Sequence, residues 1–234
     1  MNILKKIWKQ RSIVRSLPYT VYFNFYYLPF KQAIKLPIFL YKPELLKVEG
    51  KVKLDAAEVK TGMIRLGFRT VSLYPNSGIR WENHGGTVVF RGKCIVGNDS
   101  AISIGVNGNV DFGNNFLVSA NLKLTSYCSV TFGDNVRLAW EVIIMDTSFH
   151  KLKDLEGKLK GKTLDPIIIG NNNWIPTRCI VMKGTKTPDF CIFGAGSYLN
   201  KDYSNYPSHI LLAGSPLEIK AEGIWRDRTD DSIF

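Results

Sequence analysis

Glycine is missing from the first 49 residues of this 234-residue chain, and acidic residues are missing from the first 43. Both absences end abruptly, at Gly50 and Glu44. They separate a basic arm from a glycine-punctuated body. Cysteine is scarce, with four residues and no CxxC pair, which excludes a disulfide scaffold and argues against a structural zinc site. The three histidines, His84, His150 and His209, are too scattered for a histidine-rich metal cluster, and no metal is expected. Long apolar runs are also lacking. The longest uncharged stretch near the start, Ser16 to Phe30, is broken by Pro18, Asn24 and Pro29, too short and interrupted to span a bilayer. No signal-peptide pattern opens the chain, so a cytoplasmic protein is expected. Neither a P-loop nor a GxGxxG dinucleotide fingerprint occurs. A composition of 45% hydrophobic and 22% charged residues excludes a disordered chain.

What is present is unevenly placed. The net charge is +11, and eight lysines and arginines precede Glu44, so most of the excess sits in residues 1–47. Ile3, Leu4, Ile7, Trp8 and Val14 fall near helical spacing with basic residues between them, and the aromatic run TVYFNFYYLPF follows. Such an arm suits peripheral contact of residues 1–30 with an anionic membrane, or packing against the body or a sister subunit. Nucleic acid is not expected, because no binding motif accompanies the charge.

The body is a repeat. An apolar-x-apolar-Gly phrase recurs as CIVG (94–97), ISIG (102–105), VDFG (110–113), VTFG (130–133), IIIG (167–170) and CIFG (191–194). Three copies continue as FGNN, FGDN and IGNN. The finer period is six: FGNNFL-VSANLK-LTSYCS from Phe112, FGDNVR-LAWEVI-IMDTSF from Phe132, IGNNNW-IPTRCI-VMKGTK from Ile169. The first slot is apolar and the second is small. Three six-residue frames make an eighteen-residue turn of a triangular solenoid, each frame a short strand and a corner, with the first-slot side chain turned inward. Glycine and asparagine at the corners accept positive φ. About eight turns fit between residues 50 and 215. Cys94, Cys128, Cys179 and Cys191 all fall in the fifth slot of such frames, where a small hydrophobe suits a tight corner and a nucleophilic thiolate is not expected.

These frames resemble the hexapeptide-repeat acyltransferases. PIIIGNNNWIP (166–176), IVMKGT (180–185), FGAGSYLNKD (193–202) and LLAGSPLEIK (211–220) look like the closing turns of the sugar O-acetyltransferase branch, and YFNFYYLPFKQAIKLP (22–37) resembles arms found among polysaccharide-biosynthesis members. Pro176 and Ser215 depart from the family's usual glycine and asparagine. The resemblance implies an all-β fold, a left-handed parallel β-helix. The organisation is then an arm (1–47), an acyltransferase domain (48–215) with a loop insertion (151–166), and a tail (216–234). It implies a homotrimer, acetyl-CoA as acyl donor, and a carbohydrate acceptor in polysaccharide or glycan biosynthesis.

The candidate chemistry sits where the repeat breaks. VIIMDTSFH ends regular frames at His150, polar KLKDLEGKLKGKTLDP (151–166) follows, and the frames resume at Ile169. An imidazole at the root of a loop on a rigid scaffold suits a general base. By resemblance the family's catalytic histidine falls on His150, and Asp146 in an Asp-x-x-x-His phrase would orient it. Backbone N–H groups would stabilise the oxyanion. For CoA, Gly194, Ala195, Gly196 and Ser197 offer an open backbone, and Lys183, Lys201 and Lys220 offer charge. Trp174 would wall the acceptor or pantetheine pocket, or pack against the loop or a neighbouring subunit. His84 reads as a turn residue and His209 as a surface or interface residue. N-acetylation of an amino sugar, or a non-catalytic scaffold anchored by its arm, are the alternatives.

Overall fold

The structure, a computed structural model, describes residues 11–227, with side chains from residue 14. Ile3, Leu4, Ile7 and Trp8, read above as an amphipathic start, lie outside the described residues. The described chain winds into three stacked parallel sheets, the faces of a triangular prism. Face A is built from strands such as Cys94–Gly97, Phe116–Ala120 and Arg137–Trp140, face B from Ser100–Ile104, Lys123–Ser126 and Ile143–Met145, and face C from Thr87–Phe90, Asn109–Phe112 and Ser129–Phe132. This is the left-handed parallel β-helix that the hexapeptide frames call for. It makes seven full turns and the first face of an eighth.

The first-slot residues are the core. Phe90, Phe112, Phe132 and Ile169 pair in register on face C, Val96, Val118, Leu138 and Ile175 on face A, and Ile102, Leu124, Ile144, Val181 and Leu199 on face B. All are at most 1% exposed. Adjacent rings of Phe90, Phe112 and Phe132 lie nearly parallel, with centroids 5.2 and 5.5 Å apart. Each turn thus completes the apolar surface of its neighbour, which no turn can bury alone.

Only the later turns keep the eighteen-residue period, as when Val181 pairs with Leu199. Ile102 pairs with Leu124 and Leu124 with Ile144, steps of 22 and 20 residues. The extra residues are taken up at corners, so the inward alternation survives on every face.

The corner residues divide their work differently from the expectation. Positive φ falls on Asn115, Asn135 and Asn172, and on Phe190 and His209 in the same column, not on the repeat glycines. The glycines answer to crowding between turns: a Cβ on Gly113 would lie 2.2 Å from the Gly133 carbonyl oxygen, and one on Gly170 2.6 Å from that of Pro188. The next residue explains the recurring Asn or Asp. Side-chain oxygens of Asp134, Asn171 and Asp189 accept the backbone N–H of Asn114, Asp134 and Asn171 at 2.7–2.8 Å, so each corner caps the turn before it.

The coil starts earlier than the boundary drawn from charge. Ile38–Leu40 and Pro43–Val48 are already the first strands of faces A and B. Charge marks outward side chains and says nothing about which backbone enters a sheet. Before them, helix α1 (Arg11–Tyr27) and the short helix α2 (Phe30–Ala33) close the end of the prism. Ser16, Thr20 and Asn24 form one buried ridge of α1. Ser16 Oγ, Thr20 Oγ1 and Asn24 Oδ1 accept the N–H groups of Lys42, Leu40 and Ile38 at 2.9–3.1 Å, and Asn24 Nδ2 donates to the Ile38 carbonyl at 2.7 Å. The match is geometric: four helical residues rise about 6 Å and two strand residues about 6.6 Å. Three polar side chains thus stand in for a missing strand on an exposed sheet edge. At the other end, Glu218–Glu222 of the expected tail turns back antiparallel on Ile210–Ala213.

Candidate active site

The regular winding is interrupted between faces B and C of the fifth turn. After Ile143–Met145 the chain leaves the prism and returns at Ile167–Ile169, with Leu152–Lys153 and Leu159–Lys160 paired as a small hairpin. Its two ends are stitched together: the Ser148 N–H donates to the Thr163 carbonyl at 2.9 Å and the Asp165 N–H to that of Asp146 at 3.1 Å. Phe149 adopts φ of 58°, its N–H held by Thr147 Oγ1 at 2.9 Å, and its ring meets Tyr127 edge-on at 5.2 Å. This kink delivers His150 to the root of the loop with an exposed side chain. Its backbone is fixed on both sides, since its N–H donates to the Ser148 carbonyl at 2.6 Å and its carbonyl accepts Ser148 Oγ at 3.2 Å. A proton acceptor that is open to a ligand yet rigidly carried is what a general base requires.

Asp146 does something other than orient that ring. It is fully buried, and its carboxylate accepts Ser126 Oγ at 2.8 Å, the Tyr127 N–H at 2.7 Å and the Cys128 N–H at 2.9 Å. All three groups belong to the corner of the preceding turn. Asp146 therefore builds the floor beneath the loop, and its contacts are spent there. Lys183, read above as a charge for CoA, reaches up from the sixth turn: its Nζ donates to Ser148 Oγ at 2.9 Å and to the Lys162 carbonyl at 2.5 Å. It clamps the loop beside His150. The sequence carried no sign of this, because Lys183, Ser148 and Lys162 become neighbours only through the stacking.

The other residues expected around CoA occupy different edges. Lys201 lies one turn beyond Lys183 on the same B–C edge, exposed. Gly194, Ala195, Gly196 and Ser197 form the A–B corner of the seventh turn. Ala195 and Gly196 are exposed there, and Gly196 has φ of 72° with open space where a Cβ would sit. Gly194 has a packing reason, since a Cβ would approach that of Ala213 at 2.6 Å, and Ser197 is buried, its Oγ accepting the Gly214 N–H at 3.3 Å. Lys220 sits in the closing antiparallel strand, paired with Glu218 at 2.6 Å. Trp174 stands on the outer side of face A, about one-third exposed, with Arg137 and Ile192 as its strand neighbours. Within one chain, the histidine edge and the glycine corner are separate edges of the prism.

The other two histidines have partners in the fold, and the cysteines are shielded. His84 Nε2 lies 2.9 Å from Glu82 Oε1. His209 stacks on Phe190 at 4.4 Å and meets Trp225 edge-on. Burial pushes the thiols up, Cys179 to about 11, Cys191 to about 12 and Cys94 well above its usual value. Cys128 is raised as well, by burial and by the neighbouring Asp146 charge. None of the four is poised as a thiolate. Among the described residues no group of three metal-ligating side chains occurs, and no helix is long and apolar enough to cross a membrane.

No protein-family model matches the chain. Among curated proteins it is 33% identical over 123 residues to the galactoside O-acetyltransferase of Escherichia coli K12, covering 51% of this chain and 57% of that one. It is 29% identical over 161 residues to a polysialic acid O-acetyltransferase of Escherichia coli O1:K1, covering 68% and 45%. The chain thus spans about half the length of these curated relatives. A crystal structure of a polysialic-acid-specific acetyltransferase aligns with a TM-score of 0.49 at 20% identity, covering 82% of this chain and 92% of the other. The hexapeptide frames and the three-sided coil that they build are thus accompanied by sequence similarity, over about half their length, to proteins named as galactoside and polysialic acid O-acetyltransferases.

Proposed function

We propose that this chain transfers an acetyl group from acetyl-CoA to a hydroxyl of a sugar, in the synthesis or modification of a polysaccharide or glycan. The observation that carries the reading is His150, exposed yet held at the stitched root of the hairpin loop that leaves the prism between Met145 and Ile167. The relatives' names supply the class of reaction, an O-acetyl transfer to a galactoside or to polysialic acid.

A sugar hydroxyl is too weak an acid to ionise alone at neutral pH. The His150 imidazole takes its proton as the oxygen attacks the thioester carbonyl. A backbone N–H stabilises the charge on the carbonyl oxygen, and the proton then passes to the departing CoA thiolate. Lys183 and the Asp146 floor keep the imidazole in place by fixing its loop. The open corner at Ala195 and Gly196 suits the pantetheine arm, and Lys201 suits a phosphate. Because that corner and His150 occupy different edges of one prism, a site using both needs a second copy of the chain. A homotrimer with three identical inter-subunit sites meets that need. Trp174, on an outer face, would then line the acceptor side of such a site or the contact between copies.

The test is acceptor-dependent release of free CoA from acetyl-CoA, comparing galactosides and polysialic acid with acceptors that offer only an amine. Turnover with the hydroxyl acceptors alone supports O-acetylation. Turnover only with the amine moves the reading to N-acetylation, and no acetyl-CoA binding by calorimetry leaves a non-catalytic scaffold.

A further inference from the structure

Helix α1 is amphipathic in the reverse sense to an ordinary surface helix. It turns Ser16, Thr20 and Asn24 inward to hold the first strand and leaves an apolar, aromatic side outward. At 100° per residue, Tyr22, Phe25 and Tyr26 lie opposite the Thr20 ridge. They are 46–50% exposed, and Phe30 and Ile34 extend the patch at 70% and 54%. Rings pair along it, Tyr22 with Tyr26 at 5.6 Å and Phe25 with Phe30 at 6.0 Å, so the surface carries two neighbouring aromatic pairs, an aromatic strip on one helix side rather than scattered side chains. A contiguous apolar patch of this kind marks an interaction site.

Its charge selects the occupant. Arg15, Lys31 and Lys35 are exposed in the same segment, and the chain carries no acidic residue before Glu44. A second copy of this surface would set cations against cations. An anionic lipid surface offers the opposite charge, an apolar layer for phenylalanine, and the interfacial depth that tyrosine prefers. Orientation agrees. Ser16, Thr20 and Asn24 bond Lys42, Leu40 and Ile38 in turn, so the helix runs antiparallel to a strand and hence across the prism axis. Its outer side is then the base of the prism, where a helix can lie in the plane of a bilayer.

We propose that the outer face of α1 docks the protein on an anionic membrane surface, standing the β-helix on its N-terminal end. The lipid contact is peripheral and electrostatically assisted, and it leaves the loop of His150 clear of the bilayer, four turns away.

Vesicle flotation of the 234-residue protein tests this, using phosphatidylcholine vesicles with and without about one-third phosphatidylglycerol. The protein floats with the anionic vesicles, and raised salt weakens the association. Tyr22→Ser with Phe25→Ser, both outside the hydrogen-bonded ridge, lowers the fraction bound by about tenfold or more, and Lys31→Glu with Lys35→Glu does the same without touching the aromatic strip. Circular dichroism and melting temperature confirm that each variant is folded, and turnover of a soluble acceptor is unchanged. The proposal is overturned if the wild-type protein fails to float with anionic vesicles at low salt, if both double variants float like the wild type, or if Tyr22→Ser with Phe25→Ser changes the oligomeric state and leaves flotation intact.

Discussion

Two acidic and basic groups four residues apart, Asp146 and His150, read alike in the sequence as one catalytic pair. Their side chains have opposite fates. His150 is open to solvent, whereas Asp146 ties down the corner of the turn beneath. Asp146→Ala should therefore lower the melting temperature sharply, since it strands a buried hydroxyl and two N–H groups that each lose a charge-assisted bond of about 1.5–3 kcal/mol. Any loss of kcat should track the fraction unfolded; a loss of kcat at an unchanged melting temperature would show that the carboxylate acts on the ring instead. The cysteines give a second check. With all four thiols pushed up by burial, iodoacetamide at neutral pH should leave turnover intact, as followed by mass and activity on one sample. The inward frames were legible residue by residue because burial follows a local period. The partners of Asp146 were not, because they sit 18–20 positions back and meet it only once the turns have stacked.

At the scale of elements, the least legible piece was the prism's beginning. Charge and missing glycine set the arm apart, yet Ser16, Thr20 and Asn24 carry a clear four-residue spacing whose meaning depends on the strand edge that they cover. Asn24→Leu keeps the helix but strands the Ile38 N–H and carbonyl. It should cost about 2–4 kcal/mol, read as a lower melting temperature, and promote edge-to-edge association. The insertion 69–78 on the opposite corner is a second such element. Tyr74 Oη donates to Glu141 Oε1 at 2.8 Å, and Arg178 Nε donates to Glu141 Oε2 at 2.6 Å, so the strap spans several turns. Arg178, and Tyr74 after it, hold the Glu141 carboxyl below its usual range. Its contribution is thus complete above the ordinary carboxylate value and disappears as pH falls through the lowered one. Burial and the Glu141 bond push Tyr74 up to about 12, so the phenol stays a donor through alkaline pH until that point. Amide exchange in residues 70–76, corrected for intrinsic rates, should rise at a pH below the ordinary carboxylate range and stay low at pH 9. Equal protection at both conditions would mean that the strap does not depend on this carboxylate.

For the whole molecule, stability and chemistry share one scaffold. The ladder Phe90–Phe112–Phe132 runs through the turns just before the loop of His150, and Phe112→Ala should cost about 3–5 kcal/mol because the cavity lies between two stacked neighbours that cannot both collapse into it. The fold class was legible because a six-residue period repeats often enough to exclude other architectures. Its longer N-terminal turns were not, because extra corner residues leave the inward pattern unchanged and pairings such as Ile102 with Leu124 and Leu124 with Ile144 disclose them. The account as a whole rests on one imidazole acting as base on a sugar hydroxyl. The most direct measurement is kcat for acetyl-CoA-dependent acetylation of a sugar hydroxyl by the wild-type protein and by His150→Ala, with melting temperatures taken on the same preparations. The account predicts a fall of about 10²- to 10⁴-fold in kcat at an unchanged melting temperature. Wild-type turnover in the folded His150→Ala protein would contradict it.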